Sequence, residues 1–196
     1  MKKTIFLLSI FFLTSCSKDN TTETPLDQLP LITTTGANTA GCIINGKIII
    51  PKNGLGGIGG GISYGLDVHR SPNFGLPNFN EYFSIDIANL KDGGNSYWIY
   101  VHLNDLTTGA GNYTVGQSNN LYFIDGPNNP QIIVRETYNN VSGKTFISGS
   151  NSGIIIVSRF DFINKVMAGT FNCTLYNKDN PSETIQVTDG RFDIKI

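Results

Sequence analysis

From residue 40 onward the chain repeats one pattern. Short runs rich in Val, Ile, Thr, Phe and Tyr alternate with clusters of Asn, Gly, Asp and Ser. β-Branched and aromatic side chains suit a pleated, half-buried surface, and small polar residues suit tight turns. The runs fall at 42–50, 82–88, 97–103, 121–124, 131–136, 144–148, 154–160, 166–176, 184–188 and 191–196. No stretch of ten residues has a convincing helical period, and no repeat of fixed length is visible. The spacing predicts an all-β domain: an antiparallel β-sandwich, jelly-roll-like, with a closed β-barrel as the alternative.

Alternation within the runs assigns faces. Phe171, Cys173 and Leu175 point one way, and Thr170, Asn172, Thr174 and Tyr176 the other. Phe192, Ile194 and Ile196 share a face opposite Arg191, Asp193 and Lys195. Such strands have one dry face and one wet face. Asn45-Gly46 lies inside an apolar run and predicts a two-residue hairpin. Asp189-Gly190 predicts another turn, joining the last two runs.

Phe83, Ile85 and Ile87 form one apolar row, and Ile99, Val101 and Leu103 form a second. Pairing those rows restricts the register, because a slip by one residue would set apolar against polar. One register so allowed places Ser84 opposite His102, Asp86 opposite Tyr100 and Ala88 opposite Trp98. Ser84, His102 and Asp86 on one face suggest a catalytic triad. A nucleophile needs a sharp turn and oxyanion donors, and a mid-strand Ser84 shows neither. A binding surface suits the same residues better. Trp98 and Tyr100 offer aromatic faces, and Asp86, Ser84 and His102 offer hydrogen bonds of the kind that hold sugars. The competing expectation is that the aromatics pack beneath a loop or against the second sheet.

The first residues read differently. Lys2 and Lys3 precede an apolar run, Ile5 to Leu13, broken only by Ser9. It is shorter than the roughly 20 residues that span a bilayer and has the form of a secretory signal. Leu13-Thr14-Ser15-Cys16 resembles a bacterial lipobox. That resemblance implies cleavage before Cys16 and acylation of its thiol and amine, a stable anchor. Residues 1–15 are read as signal peptide, 16–38 as lipidated Cys and flexible tether, and 39–196 as a single β domain. The tether is polar, carries Pro25 and Pro30 and has no period. Loss of the signal leaves 12 basic against 15 acidic groups. With no basic excess, nucleic acid is not an expected partner. Charged residues are only 15% of the chain, against about 25% in ordinary proteins, and aromatics reach 11%. That balance excludes a disordered polyelectrolyte.

Thr35-Gly36-Ala37-Asn38-Thr39-Ala40-Gly41-Cys42, continuing through Asn45-Gly46-Lys47 to Pro51, resembles the opening of a domain family found in Bacteroidota lipoproteins. Gly169-Thr170-Phe171 through Thr188-Asp189-Gly190-Arg191-Phe192-Asp193 resembles that family's closing segment. The family is one of unknown function. The resemblance implies a lipid-anchored envelope protein with an all-β domain, in the outer membrane, facing either the periplasm or the surface. It implies no catalytic residues.

Other motifs lack their context. Gly54 to Gly59 satisfies G-x-G-x-x-G, but more glycine and then Ser63-Tyr64 follow rather than a helix, so no dinucleotide cofactor is expected. His69 and His102 are the only histidines, and no Cys-x-x-Cys pair exists, so no metal site is expected. Asn177-Lys178-Asp179-Asn180 reads as a hairpin turn. Cys42 and Cys173 both fall in strands and are a candidate disulfide in an oxidising compartment. The function expected is a non-catalytic binding or adhesion module for a glycan, peptide or partner protein. A structural envelope lipoprotein is the alternative, and a hydrolase is the least supported.

Overall fold

The computed structural model describes residues 24–54, 61–71, 82–91, 96–104, 106, 109–138 and 141–196. Cys16, the glycine motif beyond Gly54 and residues 92–95 lie outside them. No described residue is in an α-helix.

Ten strands form one sheet: β1 Thr39–Ile44, β2 Lys47–Ile49, β3 Leu66–Arg70, β4 Tyr82–Ala88, β5 Ser96–Asn104, β6 Gly111–Val115, β7 Gln131–Tyr138, β8 Val141–Asp161, β9 Val166–Asn177 and β10 Thr184–Lys195. Their order is β2-β1-β10-β9-β8-β7-β5-β4-β3, with β6 added on β8, and every neighbouring pair is antiparallel. The sheet curls into a half-barrel, so the expected antiparallel sandwich or barrel takes the form of one folded-over sheet. Its ends meet through the chain that follows β2. The chain after β2 reaches the end of β4, where Lys52 N–H donates to the Ala88 carbonyl at 3.0 Å.

The curl follows from β8. Its 21 residues run beside β9, pairing first with β7 over Ile147–Val141 and then with β6 over Gly153–Val157. Between these halves the register with β9 shifts from Ser148 to Gly153, and Asn151 takes a φ of 54°. A bulge of this kind bends a strand and lets it turn a corner. Gly153 has no room for a side chain there, since a Cβ would lie 2.2 Å from the Asn172 carbonyl oxygen.

The core lies on the concave face. Phe83, Ile85, Ile87, Ile99, Val101 and Leu103 are all fully buried. Each such side chain contributes roughly 1.5–3 kcal/mol by leaving water. Phe171, Cys173, Leu175, Phe192 and Ile194 join the same cluster, as their alternation predicts.

Four expectations need correction. Asp189-Gly190 does not join two strands. β10 is continuous, and the pair sits in a bulge between Val187 and Gly190 opposite β9, with Asp189 at φ 53°. Asp-Gly supplies left-handed backbone for a bulge as readily as for a turn. Asn45-Gly46 does form its hairpin, at φ 47° and 81°. Residues 121–124 form no strand; they lie in a segment crossing the sheet, which makes a 3-10 turn at Phe123–Asp125.

The tether does not extend to residue 38. Leu29 is buried, and Thr33, Thr35 and Gly36 are tied to Asp193 on β10. The wet face of β10 is thus covered here by the chain's own N-terminal segment. Cys42 and Cys173 are separate, buried thiols. They sit on β1 and β9, which flank β10 on opposite sides. Two strand spacings come to about 10 Å, and a disulfide requires Cα atoms within roughly 7 Å. Burial pushes both thiols up to about 12.

Candidate functional site

Beyond the core, β3, β4, β5 and β7 present a convex face. The pairing of β4 with β5 sets Ser84 opposite His102, Asp86 opposite Tyr100 and Ala88 opposite Trp98. β3 extends the rows with His69 beside Ser84 and Asp67 beside Asp86. β7 extends them with Gln131 beside His102, Ile133 beside Tyr100 and Arg135 beside Trp98. The five residues singled out in the sequence therefore do meet on one face.

This face is covered. The segment 116–130 leaves β6 and crosses it before entering β7. Phe123 N–H donates to the Tyr100 hydroxyl at 2.8 Å. The Gln131 amide donates to the Leu121 carbonyl at 2.8 Å and accepts from the Ser118 hydroxyl. Tyr122 and Phe123 fill the space between. Tyr122 meets Tyr100 edge-on at 4.8 Å between centroids, and Phe123 meets His69 edge-on at 4.9 Å. Trp98 stacks beside Tyr100, and the Arg135 guanidinium lies against both Trp98 and Tyr122. The strap thus holds an aromatic cluster closed by edge-to-face contacts and a cation over two rings.

Covering changes what the five residues can do. Ser84 and Tyr100 are fully buried and His102 is 2% exposed. Trp98 and Asp86 are half-buried and remain at the margin. A flat, open aromatic platform is therefore not what this face presents. Having accepted from Phe123, the Tyr100 hydroxyl still has its own proton to donate, and His102 Nδ1 lies 3.2 Å away. Burial pushes the Tyr100 phenol up to about 12 and the His102 imidazole down to about 4. Both are neutral at pH 7.

Burial likewise raises the Asp86 carboxyl, to about 6; His69 beside it opposes the shift and Asp67 across the strand pair adds to it. His69 Nε2 stands 3.3 Å from Asp86 Oδ2 and 3.5 Å from Asp67 Oδ2. The carboxylate partner is therefore His69, and no hydrogen bond links Ser84, His102 and Asp86 to one another. Among the described residues, four buried polar atoms on or under the strap lack a hydrogen bond of ordinary length: Asp86 Oδ1, Tyr122 Oη, Asn120 Oδ1 and Ser84 Oγ, the last still near enough to the Tyr100 phenol to favour its ionised form. An orphaned buried polar atom typically costs about 1–3 kcal/mol, and native folds seldom gather several in one place.

Sequence reasoning missed half of this site. β3 reads Leu-Asp-Val-His-Arg, too polar to stand out as a strand, so Asp67 and His69 carried no signal beyond His69 as a lone candidate ligand. Tyr122 and Phe123 fall in the run 121–124, which reads as a strand, and the Asn and Gly residues on either side are the one signal for a loop that packs on a sheet. Among the described residues no group of three or more His, Cys, Asp or Glu side chains could hold a metal ion. The Asn177–Asn180 stretch serves as the β9–β10 turn, where Asn177 binds Glu183 and the Asp179 N–H. No family model, curated protein or solved structure matches the chain.

Proposed function

We propose that this chain is a lipid-anchored envelope protein, held in the outer membrane through Cys16, whose β domain is a non-catalytic binding or adhesion module. The observation that carries the binding role is the set of buried polar atoms on and under the strap that lack a hydrogen-bond partner among the described residues: Ser84 Oγ, Asp86 Oδ1, Tyr122 Oη and Asn120 Oδ1. Two of these are pure acceptors and two are hydroxyls. A ligand rich in hydroxyl groups satisfies all four, since each hydroxyl both donates and accepts. Glycans have that chemistry, and their ring C–H faces suit the edge of an aromatic cluster. Access runs along the margin where Asp86 and Trp98 are half-buried.

The test is a glycan array probed with the full chain. A polysaccharide hit weakened at least tenfold by Ser84→Ala and by Trp98→Ala supports the reading. No hit across polysaccharides removes the glycan as ligand. The anchor is tested separately, by labelling cells with an alkyne palmitate analogue. Cys16→Ala should abolish labelling, and persistent labelling would sink the lipid anchor.

A second reading has its own observation. Tyr100, Ser84 and His102 lie beneath the 116–130 strap, as they would in a structural envelope lipoprotein with no small ligand. Water then fills the four orphaned positions, and Ser84→Ala leaves every interaction of the protein unchanged.

A further inference from the structure

The second independent feature is the edge of the sheet at β3. Antiparallel pairing with β4 places Gly65, Asp67, His69 and Ser71 in the bonded positions, since Ala88 N–H donates to Gly65 O and Ser71 N–H to Tyr82 O. The peptide groups of Leu66 and Val68 therefore point away from β4. Among the described residues, Val68 N–H is met only by the Asp67 side chain of its own strand, at 2.9 Å. Leu66 N–H and the Leu66 and Val68 carbonyls face outward. Leu66 and Val68 pack on the core yet stay half-exposed, whereas the core-facing Phe83, Ile85 and Ile87 of β4 are fully buried. A cleft of 480 Å³ lies between Tyr64, Leu66, Asp67 and Val68 on one side and Asn38, Ile194 and Lys195 on the other.

We propose that the β3 edge and this cleft bind an extended peptide segment by strand addition. Its backbone would continue the ladder beyond Leu66 and Val68. Its alternate side chains would fall on two faces. On the core side, apolar residues cover Leu66 and Val68 and enter the cleft toward Ile194. On the other side, one residue extends the row that begins with Asp67 and Asp86. Two carboxylates lie directly across from each other there, and like charges so placed repel. His69 stands against both, and a Lys or Arg from the added strand would bring a fixed positive charge to them. The partner is therefore an extended segment of alternating apolar and basic residues, not a second copy of this chain. A β3-to-β3 pairing would add a second Asp67 and Asp86 pair of carboxylates to the same surface. The Asp67 side chain on Val68 N–H is the cap that blunts this edge when it is empty, and it must swing off for the ladder to form.

The experiment uses the full chain with fluorescent seven-residue peptides alternating Val with Lys, Val with Glu, or Val with Ser, read by anisotropy. The Lys peptide should bind at least tenfold more tightly than the Glu peptide. Asp67 is exposed, so Asp67→Lys should fold, and it should reverse that order. Amide hydrogen exchange supplies an independent readout, because Leu66 N–H should slow at least tenfold on peptide addition. Absence of binding by all three peptides would overturn the proposal. So would binding indifferent to Asp67→Lys, binding without protection of Leu66, or a dimer that pairs through β3.

Discussion

Two stretches of the outer surface are covered by the chain's own loops, and the two covers treat a buried aspartate in opposite ways. On β10, the N-terminal segment brings Thr33, Thr35 and Gly36 onto Asp193 with four hydrogen bonds of 2.6–3.2 Å. Burial by itself would raise that carboxyl, but these bonds, with Ala37 N–H, outweigh it and hold it below its ordinary value. On β4, the strap leaves Asp86 with His69 on one oxygen and nothing on the other, and burial prevails, lifting it to about 6. A cover that satisfies every polar atom is architecture. A cover that leaves several orphans beside a half-open margin is where a ligand has something to gain.

The comparison can be broken by mutation, and the largest effect should come from the satisfied side. Asp193→Ala removes the acceptor of four bonds at once and should cost about 2–4 kcal/mol in urea unfolding. It should also free residues 29–36 to protease. Because the folded pKa of Asp193 is depressed, its contribution is present above the ordinary carboxylate range and is lost as pH falls through it. An Asp193→Ala chain as stable as the parent would mean that the N-terminal segment is held by something else.

Proton linkage on the strap side should be the next largest, of order 2 kcal/mol per group. Asp86 has a raised folded pKa, so its stabilisation is complete below 3.8 and disappears as pH rises through about 6. His102 has a lowered one, so its stabilisation is complete above 6.5 and disappears as pH falls toward about 4. The two oppose each other between pH 4 and 6, and the native chain should show a nearly flat stability profile there. Asp86→Asn should uncover the His102 slope, with stability falling on acidification. His102→Asn should uncover the reverse slope. Thermal unfolding across that window checks both signs.

Orphan removal should be smaller still. Ser84→Ala and Tyr122→Phe delete hydroxyls that have no partner, so stability should stay level or rise by up to about 1 kcal/mol. A loss above about 1 kcal/mol in either would show that the hydroxyl is bonded through water, and would erase the contrast with Asp193. The smallest effect concerns the thiols. Reductant should leave the melting temperature unchanged, and mass measured without it should show Cys42 and Cys173 as free thiols.

Much of this could be read from the chain alone, and for one reason. Strand faces and hairpin register depend on alternation over a few neighbouring residues, which sequence records directly. Phe83, Ile85 and Ile87 could face Ile99, Val101 and Leu103 only in registers two residues apart, and the structure adopts the one that joins Ser84 to His102. What alternation cannot record is which loop crosses which face. Asp193 reads as an outward, wet residue until the N-terminal segment lies on it, and Tyr100 reads as an open platform until Phe123 caps its hydroxyl. Asp189-Gly190 permits a left-handed backbone, and whether that becomes a turn or a bulge depends on whether β9 runs alongside. The distance between Cys42 and Cys173 depends on β10 coming between their strands. The sequence by itself determined an antiparallel β chain, its dry face and the composition of one polar-aromatic row. The tertiary structure decided which polar groups were satisfied and which were left waiting, because that depends on contacts between residues 20 to 160 positions apart.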